Sequence, residues 1–271
     1  MVKKNIKQKS LEFSLDDIRA GVKGSIGKEV LFYETVDSTN TVGEALAEKG
    51  RAEGTVIIAD SQEKGRGRLG RSWVSPPGLN IYMSMVLRPK IEPKDTTLIT
   101  IMTAVGCTIA LRKVTGLDVT IKWPNDLIVS DKKIGGILTE LRIAKKKVKY
   151  AVTGIGINVN MDSDALPDEI KEIATSIKIE TETTYSRAEI LIEILNQIDY
   201  WYRILKEMRR KELLSKWQLL TSTLGRQVKI TTSRETLTGL AESIDDEGML
   251  VLRLPSGASR VIRSGDLTVL R

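Results

Sequence analysis

An α+β fold is what this 271-residue sequence predicts: a mixed or antiparallel sheet with flanking helices, then a small all-β unit at the C-terminus. Three observations carry that reading. Between residues 118 and 160, four β-rich runs follow one another with only short turns between them. From Ser186 onward, large apolar residues recur at three- and four-residue steps. After about residue 222 the chain changes to short strand-like runs broken by "DDEG" and "PSG".

Taken in order, residues 1–28 read as a lead-in containing one helix, "SLDDIRAGVKG". Ser14 is its N-cap, Asp16 and Asp17 lie in its first turn, and Gly21 or Gly24 stops it. "EVLFYETV" (29–36) is a strand, and "DSTNTVGEALAEKG" is a turn leading into a helix that stops at Gly50. "TVIIADSQ" (55–62) is apolar and β-branched, hence a buried strand; "NIYMSMVLRP" (80–89) reads as an alternating strand ended by Pro89. Asp95 to Thr97 cap a helix that runs to Gly116. "VTIKW", "DLIVS", "IGGILTELRIA" and "YAVTGIGINVN" then form an antiparallel meander, with Lys145 to Lys147 at a solvated hairpin. Ser186 and Glu189 make a capping box for a long helix whose core face is Ile190, Ile194, Ile198, Trp201, Leu205 and Met208. The last fifty residues are most simply an SH3-like barrel. The domain expectation is 1–28 lead-in, 29–222 main domain and 223–271 barrel.

Composition narrows the chemistry. Hydrophobic residues make up 41%, enough for a packed core. There is no histidine and a single cysteine, Cys107. Ser-His-Asp triads, His-ligated zinc, thiol–imidazole pairs and internal disulfides are therefore excluded. Catalysis must rest on carboxylates, lysines, arginines and backbone N–H groups, which suits phosphoryl or nucleotidyl transfer. A net charge of +7 favours anionic partners. No uninterrupted apolar run approaches the roughly 20 residues of a membrane span, and the basic N-terminus lacks the apolar core of a signal peptide. A reducing cytoplasm is the expected setting.

Four motifs stand out. "GRGRLGR" (65–71) matches G-x-G-x-x-G, but Pro76 and Pro77 break any helix that a Rossmann turn would need. What remains is a glycine loop loaded with Arg66, Arg68 and Arg71, read either as a lid that closes over an anion or as a solvated basic turn. In "KWPNDLIVSDKKIGGILTE" (122–140), Pro124 sets a turn, Asn125 and Asp126 are polar at a strand start, and Lys133 precedes Gly135 and Gly136. That pair marks either close backbone approach to a ligand or an ordinary hairpin. "DSTN" (37–40) is a helix cap with exposed N–H groups. "GIGINVN" (154–160) thins a strand with glycines and places Asn158 and Asn160 where apolar residues would also fit.

Together these motifs, in this order and spacing, closely resemble the biotin protein ligases, over residues 29–271. The resemblance implies the class II synthetase-like biotin/lipoate ligase fold with the C-terminal SH3-like barrel. It also implies a two-step reaction: Mg-ATP activates biotin as biotinyl-5′-AMP, and a lysine of a biotin carboxyl carrier domain, of acetyl-CoA or pyruvate carboxylase, then takes the biotinyl group. Mg²⁺ is implied as ATP's companion, held mainly by the phosphates and by no protein metal site. By the same likeness Ser38, Thr39, Asn40 and Gln62 line the biotin pocket, with Gly65, Arg66, Gly67, Arg68, Lys133 and Gly135. Arg66, Arg68, Arg71, Trp73, Asn125, Asp126, Lys133, Asn158 and the terminal Arg271 meet ATP. Lys133, Arg66 and Arg68 neutralise charge on the α-phosphate, and the arginine loop is mobile until ligand orders it.

Members that double as repressors carry an N-terminal winged helix-turn-helix, and too few residues precede the first strand here for that module. The expectation is a ligase without specific DNA or membrane binding, with a homodimer left open. Leu69 stands where some relatives carry a basic residue. The rivals are a lipoate or octanoate ligase or transferase of the same superfold, and a basic nucleic-acid-binding module.

Overall fold

The computed structural model describes residues 14–270. Its larger sheet has seven strands: β1 (Val30–Val36), β2 (Val56–Gln62), β3 (Ile81–Leu87), β4 (Thr120–Lys122), β5 (Asp126–Val129), β6 (Lys132–Ala144) and β7 (Lys147–Ile157). Their spatial order is β1-β2-β3-β7-β6-β5-β4. Only β1 and β2 pair in parallel, joined by the helix α2 (Thr39–Glu48); all other pairs are antiparallel, and β4 to β7 form the expected meander. Lys145 and Lys146 take positive φ at the tight turn between β6 and β7.

Helices cover both faces. On one side α2 packs on β2, β3 and β7 around Ala47, Ile57, Val86 and Val152. On the other lie α3 (Thr97–Thr115), α5 (Arg187–Lys206) and α6 (Arg210–Leu220), whose apolar faces merge with the sheet in one core. That sandwiching corrects one expectation: β3 is buried at every position rather than alternately, because neither face meets water. Pro93–Thr115 is long and apolar enough to cross a membrane by length and composition, yet most of it is buried against the sheet and α5.

The helix α1 (Leu15–Gly21) starts where expected, with Ser14 Oγ accepting from Asp17 N. The residues after it are clasped by α5. Asn196 Oδ1 accepts from Lys23 N, while Asp199 Oδ1 accepts from Ser25 N at 2.7 Å, Ser25 Oγ at 3.0 Å and Ile26 N at 3.0 Å. Ile18 and Ile26 are fully buried. Ser186 caps α5 by accepting from Glu189 N, and its apolar stripe is buried as far as Leu205. Met208 departs from the expected core face: the helix has ended, φ is +56°, and the side chain is 50% exposed. The short helix α4 (Ile177–Thr181) and α6 were not foreseen.

The C-terminal unit is a five-stranded antiparallel sheet. It comprises β8 (Gln227–Thr231), β9 (Thr236–Ile244), β10 (Leu250–Arg253), β11 (Ser259–Ile262) and β12 (Asp266–Val269), ordered β11-β10-β9-β8-β12. Its inner residues Val228, Ile230, Ala241, Leu250 and Leu252 join the main core. β12 was not foreseen, and it is the strand that reaches the site.

Candidate active site

The helix α2 covers only part of its face of the large sheet. Beyond its N-terminus the face stays open as a cleft of about 510 Å³, floored by β6 and β7. Side chains alternate along a strand, so Gly136, Leu138, Gly154 and Gly156 share this face. Three glycines strip the floor of bulk; Asn40 fills the space over Gly154, and Trp73 lies over Gly136 and Gly156. A Cβ on Gly136 would lie 3.3 Å from Trp73 Cζ3, and one on Gly156 only 2.5 Å from Trp73 Cε2. Trp73 Nε1 is buried without a hydrogen-bond partner, and Lys133 Nζ sits 5.3 Å from the indole centre.

At one end of the cleft, the α2 N-terminus meets Gln62 in a polar network. Thr39 N donates to Gln62 Oε1 at 2.9 Å, and Gln62 Nε2 donates to Ser75 Oγ at 2.9 Å. Ser84 Oγ lies 2.7 Å from Thr39 Oγ1 and 2.6 Å from Asn40 Oδ1. Asn40 Nδ2 is spent on Leu138 O and on Glu140 Oε2. Ser38 occupies the N-cap position without making a side-chain cap and lines the cleft beside Thr39 and Asn40, all three buried.

At the other end, Lys133 Nζ is 2.7 Å from Asp126 Oδ1. The Lys133 backbone is clamped in turn: its N–H donates to Ile173 O and its carbonyl accepts from Thr175 N. Arg68 reaches in from the loop, with Nη1 donating to Asn125 Oδ1 at 2.9 Å. Burial pulls the Arg68 guanidinium below the usual arginine range, against the opposing pull of Asp126 and Asp266. It stays charged, and a charged donor in a partly dry site is where an anion gains most.

The arginine loop is a short hairpin in this structure. Trp73 N donates to Gly65 O at 2.9 Å, Gly67 N to Arg71 O at 2.6 Å, and Arg66 bridges Ser72. The G-x-G-x-x-G match opens no helix, only a 3₁₀ turn at Arg68–Gly70 with Leu69 67% exposed at its tip. The three guanidinium groups diverge. Arg66 Nη2 is 2.6 Å from Glu140 Oε2, Arg68 points into the cleft, and Arg71 pairs with Asp266 of β12.

Most of the expected site residues therefore line one cleft: Ser38, Thr39, Asn40, Gln62, Arg66, Gly67, Arg68, Arg71, Trp73, Asn125, Asp126, Lys133 and Asn158. Two do not. Gly135 is on the opposite face of β6, where a Cβ would meet Ile157 and Leu127, and Gly136 is the floor residue. Gly65 backs onto the Trp73 carbonyl at the loop base. Arg271 lies outside the described residues. Sequence reasoning missed the apolar wall built from Met161, Leu166, Ile170, Ile173 and Ala174, the β12 edge from Gly265 to Thr268, and Trp123. The apolar spacing after Pro167 was the available signal for the wall; nothing local marked the β12 edge.

Comparison with known proteins follows the same pattern. The biotin/lipoate A/B protein ligase family model matches residues 32–158, and the biotin protein ligase C-terminal domain model matches residues 223–267. The bifunctional ligase/repressor BirA of Bacillus spizizenii is 35% identical over 251 residues, which cover 92% of this chain and 77% of that protein. The biotin–[acetyl-CoA-carboxylase] ligase of Mycobacterium tuberculosis is 28% identical over 267 residues, 96% of either chain. Among solved structures, the biotin protein ligase from Aquifex aeolicus in complex with biotin and ATP superposes with a TM-score of 0.76 at 32% identity. That match covers 90% of this chain and 99% of the other.

Proposed function

The chain belongs to the biotin/lipoate A/B protein ligase family, and on that premise we propose that it activates biotin with ATP and passes the biotinyl group to a lysine of a carrier domain. The observation that carries this reading is the single cleft into which five separated segments converge: 38–40, 62, 66–73, 122–138 and 154–158.

In the first step a biotin carboxylate oxygen attacks the α-phosphorus of ATP, and the bond to pyrophosphate breaks. Charge gathers on the α-phosphate, where Lys133 and Arg68 neutralise it. Lys133 is preorganised by Asp126 and by its clamped backbone, so little reorganisation is needed as the charge develops. Mg²⁺ brought by ATP would supply further neutralisation of phosphate charge; of the cleft carboxylates Asp126, Asp131 and Asp266, which would meet it, Asp126 and Asp266 are paired with Lys133 and Arg71. Ser38, Thr39 and Gln62 take the polar head of biotin. Asn40 supports them from behind, since both its amide hydrogens are already used. The purine side of ATP lies against Ile170, Ile173 and Ala174, near Asn158 and Trp73.

In the second step a lysine amine attacks the biotinyl carbonyl carbon. The bond to the AMP oxygen breaks, and the amine loses a proton. The mixed anhydride is water-sensitive, and the arginine loop is placed to cover it. The acceptor is a biotin carboxyl carrier domain of acetyl-CoA or pyruvate carboxylase, and a cytoplasmic setting suits the lone buried Cys107.

The test is direct. Purified protein with biotin and [α-³²P]ATP should form labelled biotinyl-AMP, and should biotinylate an added carrier domain. Adenylation of lipoate or octanoate in preference to biotin would move the assignment to the lipoate branch.

A further inference from the structure

We infer that the three loop arginines divide their work, and that Glu140 is a positioning residue that anchors Arg66 as a tether of the loop rather than a grip on substrate. The inference rests on the ligase reading above and changes the role expected for Arg66.

The charges around each guanidinium differ. Arg66 faces two carboxylates, with Nη2 at 2.6 Å from Glu140 Oε2 and 3.8 Å from Glu44 Oε1. It is already more than neutralised, so a further anion gains little from it. Burial first, and then Glu140, hold Glu44 above the usual carboxylate range, with Arg66 opposing, so the pair depends on that guanidinium. Arg68 has the reverse setting: its side chain donates to the neutral Asn125 amide oxygen, and the carboxylate that acts on it most strongly, Asp126, is engaged by Lys133. Arg71 is taken by Asp266.

Position points the same way. Arg66 sits at the base of the hairpin, bridged to Ser72, whereas Arg68 sits at the turn. The Glu140 oxygen that accepts from Arg66 also accepts from Asn40 Nδ2 at 2.7 Å. One carboxylate thus joins α2, β6 and the loop base, setting the register between the head-group end of the cleft and its cover.

The experiment is a double-mutant cycle in the full chain with Arg66→Gln, Glu140→Gln and both together, plus Arg66→Lys. The readouts are pyrophosphate release with biotin and Mg-ATP, the KM for biotin, and amide exchange across residues 63–73 without ligand. Arg66→Gln strands two carboxylates and should raise the biotin KM about tenfold, while the double variant, with a neutral amide pair, should return to within about threefold of wild type. Its loop exchange should recover in parallel. Arg66→Lys keeps the ion pair and should stay near wild type, because a tether tolerates an ammonium where a forked grip on an anion does not. A double variant as impaired as Arg66→Gln, or an Arg66→Lys equally impaired, overturns the tether and returns Arg66 to the substrate. Absence of adenylation in the wild type would sink the ligase reading instead, and the exchange data would still decide the tether.

Discussion

The indole of Trp73 occupies the space that a side chain on Gly156 would need: a Cβ there would lie 2.5 Å from Trp73 Cε2 and 2.6 Å from Nε1. A rigid ring cannot yield as a flexible chain end can. Gly156→Ala should therefore expel Trp73 from the floor and break its contact with Lys133. Overpacking of this kind costs about 1–3 kcal/mol, and we expect roughly a tenfold loss in ATP affinity. Gly136→Ala meets Lys133 Cε at 3.1 Å and Trp73 Cζ3 at 3.3 Å, contacts that a lysine chain can relieve, so its effect should be several-fold smaller. Trp fluorescence and ATP titration of the two variants check this ranking; equal effects would contradict it.

Lys133→Ala should nearly abolish adenylation and leave the fold intact. One preorganised charge in a partly dry site contributes about 2.7–4 kcal/mol, a rate factor of about 10²–10³. The Lys133–Asp126 pair is partly exposed, so its loss costs little stability. Pyrophosphate release within tenfold of wild type would rule the role out.

Local signals carried the elements well and the site only in part. Ser14 and Ser186 cap helices where their side chains predict it, and the glycine pair at 135–136 lies inside a strand, β6. Which glycine of that pair faces the cleft depends on register, and so on pairing with β7, which lies many residues further on. Arg66 looked like Arg68 in the sequence. Glu140 and Glu44 distinguish them only after the sheet and α2 bring these distant carboxylates together. The unbroken burial of β3 and the β12 edge of the cleft are likewise products of tertiary packing.

Asp199 should matter for stability and not for chemistry. It accepts three hydrogen bonds from Ser25 and Ile26, far from the cleft, and Gly24 leaves room for its carboxylate. Asp199→Ala should cost about 2–3 kcal/mol, read as a lower urea midpoint, with kcat for adenylation unchanged. A midpoint equal to wild type would show that the clasp adds no stability.

Glu53 should contribute an acid-sensitive part of the stability. Burial pushes its carboxyl up, but hydrogen bonds from Tyr202 Oη at 2.6 Å, Lys206 Nζ at 3.0 Å and Arg88 N at 3.0 Å win and hold it below the usual value. A depressed carboxylate stabilises the fold above its unfolded pKa, near 4.5, and that contribution is lost as pH falls through the lower folded value. Glu53→Gln should lower Tm at neutral pH and flatten the fall of Tm on acidification through that range. An unchanged acid limb would remove Glu53 from the account.

The tip of the arginine loop should be its working part. Arg66 holds one end to Glu140 and Arg71 the other to Asp266, which leaves Gly67, Arg68, Leu69 and Gly70 between the two anchors. Within that span only Arg68 carries a charge into the cleft, and an adenylate phosphate offers it a stronger partner than the neutral Asn125. Ligand should thus bias the turn toward the closed state. Arg68→Gly removes the grip and keeps both anchors. It should weaken retention of biotinyl-AMP by about 1.5–3 kcal/mol, the value of one charged hydrogen bond, without a matching loss of biotin affinity. Adenylate that escapes would then acylate lysines of unrelated proteins. Hydrogen exchange across residues 63–73, with and without biotinyl-AMP, measures the closure, and labelling of an added bystander protein measures the leak. Equal protection in both states, together with no extra labelling by the variant, would leave the loop as a static basic turn.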